Sequence, residues 1–341
     1  MQISRVGLDL AKRVIQLHGV DRHERIACRR TLKREEVLSF FRNLPPCLIG
    51  MEACAHAHDW ARKLTVFGHT VKLMAPQHVK PYVQGQKNDR NDAAAICEAV
   101  SRPGMRFVPV KSVAQQDGQA LLRIRAERVA QRTAMINQIR GLLGEYGIVV
   151  ATGRLHLRRA LPDILEDAEN GLSFEFRVLL GDLYAELAAL DQRIAVLDAQ
   201  VRQQIGEHAS AKRLLDVPGI GPLTAAALVA SVGDARQFKN GRQMAAFLGL
   251  TPRQHSSGGK ARLFGIHKRG DSFIRGLLVH GARSVQRMAV DKTDHRSRWL
   301  NAVGARRHCN IATVAQANKT ARIAWVILAR GETYRTDAAA I

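Results

Sequence analysis

The sequence predicts an α/β domain followed by an α-helical coiled-coil hairpin and a mainly α-helical C-terminal domain. Short apolar runs alternate with helical patterns over residues 1–110, a seven-residue apolar repeat takes over across 111–210, and helical periodicity broken by glycines occupies 211–330. With 341 residues, 46% of them hydrophobic, the chain can bury a sizeable core in two or three domains. Residues 331–341 read as a flexible tail.

Within residues 1–110, Ile3 to Asp9 reads as a strand, Val14 to Val20 as its hairpin partner and Glu24 to Thr31 as a third antiparallel strand. Lys33 to Asn43 is helical in pattern and stops at Pro45-Pro46. Cys47 to Glu52 is a short apolar strand, followed by a helix over Asp59 to Phe67, a strand over Thr70 to Met74 and a helix over Asn91 to Val100. Three antiparallel strands followed by alternating helix and strand give the ribonuclease-H order. A doubly wound nucleotide-binding sheet is disfavoured because no Gly-rich phosphate loop follows the first strand.

In the middle region Leu122, Val129, Ile136 and Leu143 recur every seven residues, and Leu180, Leu183, Leu187, Leu190, Ile194, Leu197 and Val201 follow the 3-4 spacing of a coiled-coil seam. Such a seam needs a covering helix, either from the same chain as a helical bundle or from a second copy as a dimerising coiled coil. Gly153, Pro162 and Gly171 mark 147–172 as a loop with one short helix.

Charge narrows the function. The chain carries 52 Lys+Arg against 30 Asp+Glu, a net of +22, and 17 Lys+Arg against five Asp+Glu lie from Thr251 onward. A polyanion is the expected partner, touched most densely by the C-terminal part. Five cysteines without a CxxC pair argue against a disulfide framework or a zinc ribbon and point to reduced thiols in a cytoplasmic protein. No apolar run approaches the roughly 20 residues that span a bilayer, so no membrane partner is expected.

Three constellations carry chemistry. Asp9 and Glu52 each end an apolar strand, and Asp89 and Asp92 share one face of a helix. Carboxylates in this pattern suit Mg²⁺, which needs hard oxygen ligands and serves phosphodiester cleavage. Leu215 to Leu228 looks like a helix-hairpin-helix, in which Gly219 and Gly221 allow a tight turn that presents backbone N–H groups to a phosphate whatever the base sequence. Ser256-Ser257-Gly258-Gly259 lies among Arg253, Lys260, Arg262, Lys268 and Arg269, with Arg275 beyond. A hydroxyl there could attack a phosphodiester, although Ser-Gly loops more often only connect elements.

In this order, the motifs Gly7-Leu8-Asp9-Leu10-Ala11-Lys12, Gly50-Met51-Glu52-Ala53, Lys87-Asn88-Asp89-Arg90-Asn91-Asp92-Ala93, Val217-Pro218-Gly219-Ile220-Gly221, Ala246 to Arg253 and Ser256 to Lys260 resemble those of one family. It is the insertion-sequence one-ten group of transposases, and especially its eleven-eleven subgroup. The resemblance implies a RuvC-like domain whose Asp-Glu-Asp-Asp tetrad, here Asp9, Glu52, Asp89 and Asp92, binds Mg²⁺. It implies a C-terminal domain whose nucleophilic serine, matching Ser257 with Ser256 adjacent, forms a phosphoserine link to DNA. It also implies DNA recombination by homo-oligomers guided by a structured noncoding RNA, with tetrad and serine drawn from different subunits. The rival expectations are a stand-alone Mg²⁺-dependent nuclease or junction resolvase using water, and a non-catalytic nucleic-acid-binding protein.

Overall fold

The computed structural model describes residues 2–86 and 88–335, in two compact units, Met1–Val113 and Ala114–Ile341. Lys87, and the part of the expected tail beyond Arg335, lie outside the described residues.

The first unit is built on β1 (Arg5–Leu10), β2 (Val14–Val20), β3 (Ile26–Lys33), β4 (Leu48–Glu52), β5 (Thr70–Met74) and β6 (Phe107–Val108), with α1 (Val37–Arg42), α2 (Ala57–Val66), α3 (Pro76–Val79) and α4 (Asp89–Ala99). The sheet order is β3-β2-β1-β4-β5-β6. The first three strands form an antiparallel meander, β1, β4 and β5 are mutually parallel, and β6 closes the edge antiparallel to β5. This is a mixed sheet of ribonuclease-H-like order.

Strand periodicity explains the layering. On one face Val6, Leu8, Ile49, Met51 and Leu73 pack against Val37, Phe41, Trp60 and Leu64 of α1 and α2. Each large apolar side chain so buried contributes about 1.5–3 kcal/mol. The opposite face of β1 and β4 carries Gly7 and Gly50, which are register partners, and there α4 lies on the sheet. A Cβ at Gly7 would overlap the Ala93 carbonyl, and one at Gly50 would stand 2.8 Å from Val100 Cβ. The two glycines create the groove that seats the helix.

In the second unit, α5 (Val113–Glu145), α6 (Arg154–Glu166) and α7 (Phe174–Glu207) pack through Ile136, Ile139, Leu143, Leu157, Leu161, Leu180 and Leu187. The turn 167–173 is tied down by Arg177, whose guanidinium donates to the carbonyls of Ile164, Leu165 and Asp167 and to the Asn170 side chain. Asp191 on α7 receives Arg132 at 2.9 Å, Arg158 at 2.8 Å and Arg154 at 3.5 Å, joining all three helices. The seam residues Leu180, Leu187, Ile194, Leu197 and Val201 are buried within the single chain.

Beyond these helices, α8 (Ala209–Leu215), α9 (Pro222–Val232), α10 (Gly241–Phe247), β7 (Pro252–Gln254), β8 (Leu263–Ile266), α11 (Ser272–Met288), α12 (His295–Arg306) and α13 (Cys309–Arg330) complete the unit. The core here is rich in alanine, with Ala225, Ala227, Ala282, Ala317, Ala321 and Ala324 buried around Leu228, Leu278 and Trp325, so the helices approach closely. The antiparallel pair β7–β8 interrupts a region whose sequence pattern is otherwise helical. No helix among the described residues is long and apolar enough to cross a membrane.

Candidate active site

Strand register and helix packing bring Asp9, Glu52, Asp89 and Asp92 toward one end of the sheet. Leu8 of β1 pairs with Met51 of β4, so one step further along the parallel register Asp9 and Glu52 stand on neighbouring strand ends. Both follow their strand's glycine by two residues and therefore share its face. Helix α4 runs antiparallel to β1 across that face: its Cys97 thiol lies 3.9 Å from the Arg5 carbonyl, while Ala93 lies over Gly7. The first turn of α4, bearing Asp89 and Asp92, thereby reaches Asp9. One carboxylate oxygen from each of Asp9, Asp89 and Asp92 lies within 4.8 Å of the others. Glu52 stands outside that set of three on the adjacent strand. Desolvation first, and then the charges of Glu52 and Asp9, raise the Cys54 thiol above its ordinary range.

The N-terminus of α4 is prepared for negative charge. Asn88 caps it by accepting the Asn91 N–H at 2.9 Å, Asn91 Nδ2 donates to the Gln86 carbonyl, and the positive end of the helix dipole favours the two aspartates in its first turn. Three hard oxygen donors this close, partly open to solvent, suit a small divalent cation, and a cation would relieve their mutual repulsion.

Ser257 belongs to the second unit, at the tip of the β7–β8 hairpin. Ser257 and Lys260 form a bridge, with the Lys260 N–H donating to the Ser257 carbonyl at 3.0 Å. Between them Gly258 and Gly259 have φ of 54° and 76°, the left-handed pair required by a tight two-residue hairpin loop. A Gly-Gly between two short segments was the available sequence signal for this hairpin. The two serines differ: Ser256 Oγ accepts from Gln254 Nε2 at 2.7 Å, whereas the exposed Ser257 hydroxyl makes no hydrogen bond among the described residues. The hairpin also exposes Leu263 and Phe264, with His255 edge-on to Phe264.

The basic residues expected around Ser257 take different positions. Arg253, Lys260, Arg262, Lys268 and Arg269 are exposed. Lys268 adopts φ of 56°, and the Arg269 N–H donates to His267 Nδ1 at 2.9 Å. Arg275 turns partly inward, donating to the carbonyls of Leu248 and Arg269 at 3.3 Å each, and so anchors the base of the hairpin. Gly219 packs against Gly281 of α11, while Gly221 is exposed and leads into α9 with Pro222 in its first turn.

Comparison with known proteins decides the family. Residues 211–298 match the model described as "Transposase IS116/IS110/IS902 family" and residues 6–148 a DEDD-type model described as "Transposase". A "Probable family 20 transposase" of Pseudomonas aeruginosa is 54% identical, covering 98% of this chain and 99% of its own. The chain belongs to the IS116/IS110/IS902 transposase family. The transposase for insertion sequence element IS1111A of Coxiella burnetii is 47% identical over 98% of this chain and 92% of its own. That for IS1328 of Yersinia enterocolitica is 37% identical over 97% and 98% respectively. This insertion-sequence transposase is thus a DNA-recombining enzyme, and transposase domains of the DEDD type generally work with a divalent metal.

Proposed function

We propose that this transposase is an RNA-guided DNA recombinase that cuts and rejoins strands through a phosphoserine link, with Ser257 as nucleophile and Asp9, Glu52, Asp89 and Asp92 as a Mg²⁺-holding tetrad. The observation that carries the reading is the convergence of carboxylates from β1 and α4 within 4.8 Å, with Glu52 on the next strand end. Bound there, the cation supplies Lewis acidity toward phosphoryl oxygens.

The residues of the chain do the rest. Ser257 Oγ forms an ester bond to phosphorus as the bond from phosphorus to the departing strand oxygen breaks. Its proton leaves to solvent at this exposed turn, and the departing oxygen takes one up. Arg253, Lys260 and Arg262 offset the negative charge that develops. Attack of a strand hydroxyl on the phosphoserine reverses the exchange and restores the serine. The segment 209–232 acts as a helix-hairpin-helix, holding a phosphate at Gly221 through backbone N–H groups, with Gly219 shaping the turn. Lys268, Arg269 and Arg275 border the same nucleic-acid surface. The surplus of 22 positive charges fits DNA together with a structured guide RNA. The long helices α5 and α7 act as a coiled-coil hairpin in a homo-oligomer, with Phe174, Val178 and Leu179 exposed for a second copy.

Trapping on cleaved DNA tests this. Unaltered protein gives a denaturation-resistant protein–DNA adduct, Ser257→Ala gives none while DNA and RNA binding persist, and Ser256→Ala still gives it. Mg²⁺-dependent cutting without any adduct would instead identify a nuclease that uses water.

A further inference from the structure

A cleft of about 400 Å³ opens in the second unit, between the first turns of α10 and α12, the C-terminal half of α13 and residues 332–335. That volume is in the range of small-ligand sites, roughly 300–1,000 Å³. Gly241 makes the cleft possible: a Cβ there would stand 3.0 Å from the Arg322 Cα, so α10 begins directly on the backbone of α13.

The walls are of two kinds. Ile323, Val326 and Trp325 give an apolar side, and the Tyr334 ring closes one end, its hydroxyl 3.5 Å from Arg296 Nη1. Arg242, Arg296, Lys319 and Arg335 line the same cleft. Among the described residues lining the cleft, the one carboxylate is Glu332, which pairs with Arg330 at 3.7 Å. Arg296 Nε is buried without a partner among the described residues. The Lys319 ammonium, 4.6 Å above the Trp299 ring, is pulled below the ordinary lysine range by burial first and then by the cations Arg322 and Arg296. Among the described lining residues, positive charge thus outweighs negative beside an apolar wall.

We propose that this cleft receives one unpaired nucleotide of a single nucleic-acid strand, its phosphate against Arg242, Arg296 and Lys319 and its base along the apolar wall beside Tyr334. A phosphate alone would need no apolar side, and the paired bases of a duplex are stacked inside it, whereas an unstacked base offers a flat apolar face with a charged backbone. The proposal rests on the nucleic-acid-processing reading above, and none of these residues belongs to the tetrad or the hairpin.

The test compares binding of the full chain to a short single strand, in deoxyribo and ribo forms, and to a duplex of the same sequence. Arg242→Ala combined with Lys319→Ala, and separately Tyr334→Ala, should weaken single-strand binding roughly tenfold, in line with the loss of one stacked base and its phosphate contacts. Duplex binding should stay near that of the unaltered chain. A strand carrying 5-iodouracil should photo-cross-link to the peptide containing Tyr334. Tighter ribo binding identifies the occupant as guide RNA and tighter deoxyribo binding as an unwound DNA strand. Arg335→Glu, at an exposed position, provides a second variant should Lys319→Ala fail to fold. Equal losses for duplex and single strand, or cross-linking confined to other peptides, would overturn the proposal. The serine adduct is scored in the same preparations: adduct without cleft-dependent binding sinks this inference alone, and cleft-dependent binding without adduct sinks only the phosphoserine reading.

Discussion

At Gly7 there is no room for even one methyl group, because the Ala93 carbonyl and the Cys97 backbone already fill the space. Gly7→Ala should therefore push α4 off the sheet, costing about 3 kcal/mol by urea denaturation, the upper end of typical overpacking, and pulling Asp89 and Asp92 away from Asp9. The four acids stand out in the sequence because each ends or begins an apolar pattern. The two glycines that seat α4 on the strands do not, since a glycine within a strand signals close approach without saying to what. His58 gives a second residue-level prediction. Burial first, then Lys111 and Arg62, lower its imidazole to about 4, and its Nδ1 accepts the Lys111 N–H at 3.1 Å. The unfolded chain takes up this proton near pH 6.5 but the folded one only near 4. Stability should thus fall as pH drops from about 6.5 to about 4 and level off below, and thermal melts of His58→Gln should lack that component.

Among the elements, β2 and β5 run over the residues their alternation indicates, and β1 and β3 are shifted by about two, because an exposed strand end carries no hydrophobic signal. The hairpin β7–β8 was illegible by periodicity. Its strands are three and four residues long and almost wholly exposed, so the turn, not a buried face, fixes them. Replacing both Gly258 and Gly259 by alanine forces two side chains into left-handed backbone at about 1–2 kcal/mol each. Adduct formation should slow markedly while DNA binding, measured by anisotropy, holds. In the helical layer, Asp191 ties α5, α6 and α7 through Arg132, Arg154 and Arg158. Asp191→Ala leaves the largely buried Arg132 uncompensated and should cost about 2 kcal/mol in chemical denaturation. The heptads indicated that α7 needed cover, but whether the cover came from the same chain depended on a helix pair brought together by a turn whose anchor, Arg177, shows no pattern in sequence.

For the molecule as a whole, a net charge of +22 makes nucleic-acid binding steeply salt-dependent. If about six phosphates are contacted, affinity should fall roughly a thousandfold between 50 and 200 mM salt, as read by filter binding. A shallow dependence would mean that most of these cations face solvent. Composition and motif order were sufficient to indicate a DNA-processing enzyme, whereas a guide RNA leaves no mark on spacing or charge that DNA would not also leave. The central claim is that Asp9, Glu52, Asp89 and Asp92 form one cation site, and Mn²⁺ binding followed by electron paramagnetic resonance, with Mg²⁺ as competitor, tests it most directly. Folded wild-type protein should bind Mn²⁺ displaceably by Mg²⁺, and Asp9→Asn and Asp92→Asn should each lose that binding while their circular dichroism is unchanged. Undiminished Mn²⁺ binding in both folded variants would contradict it.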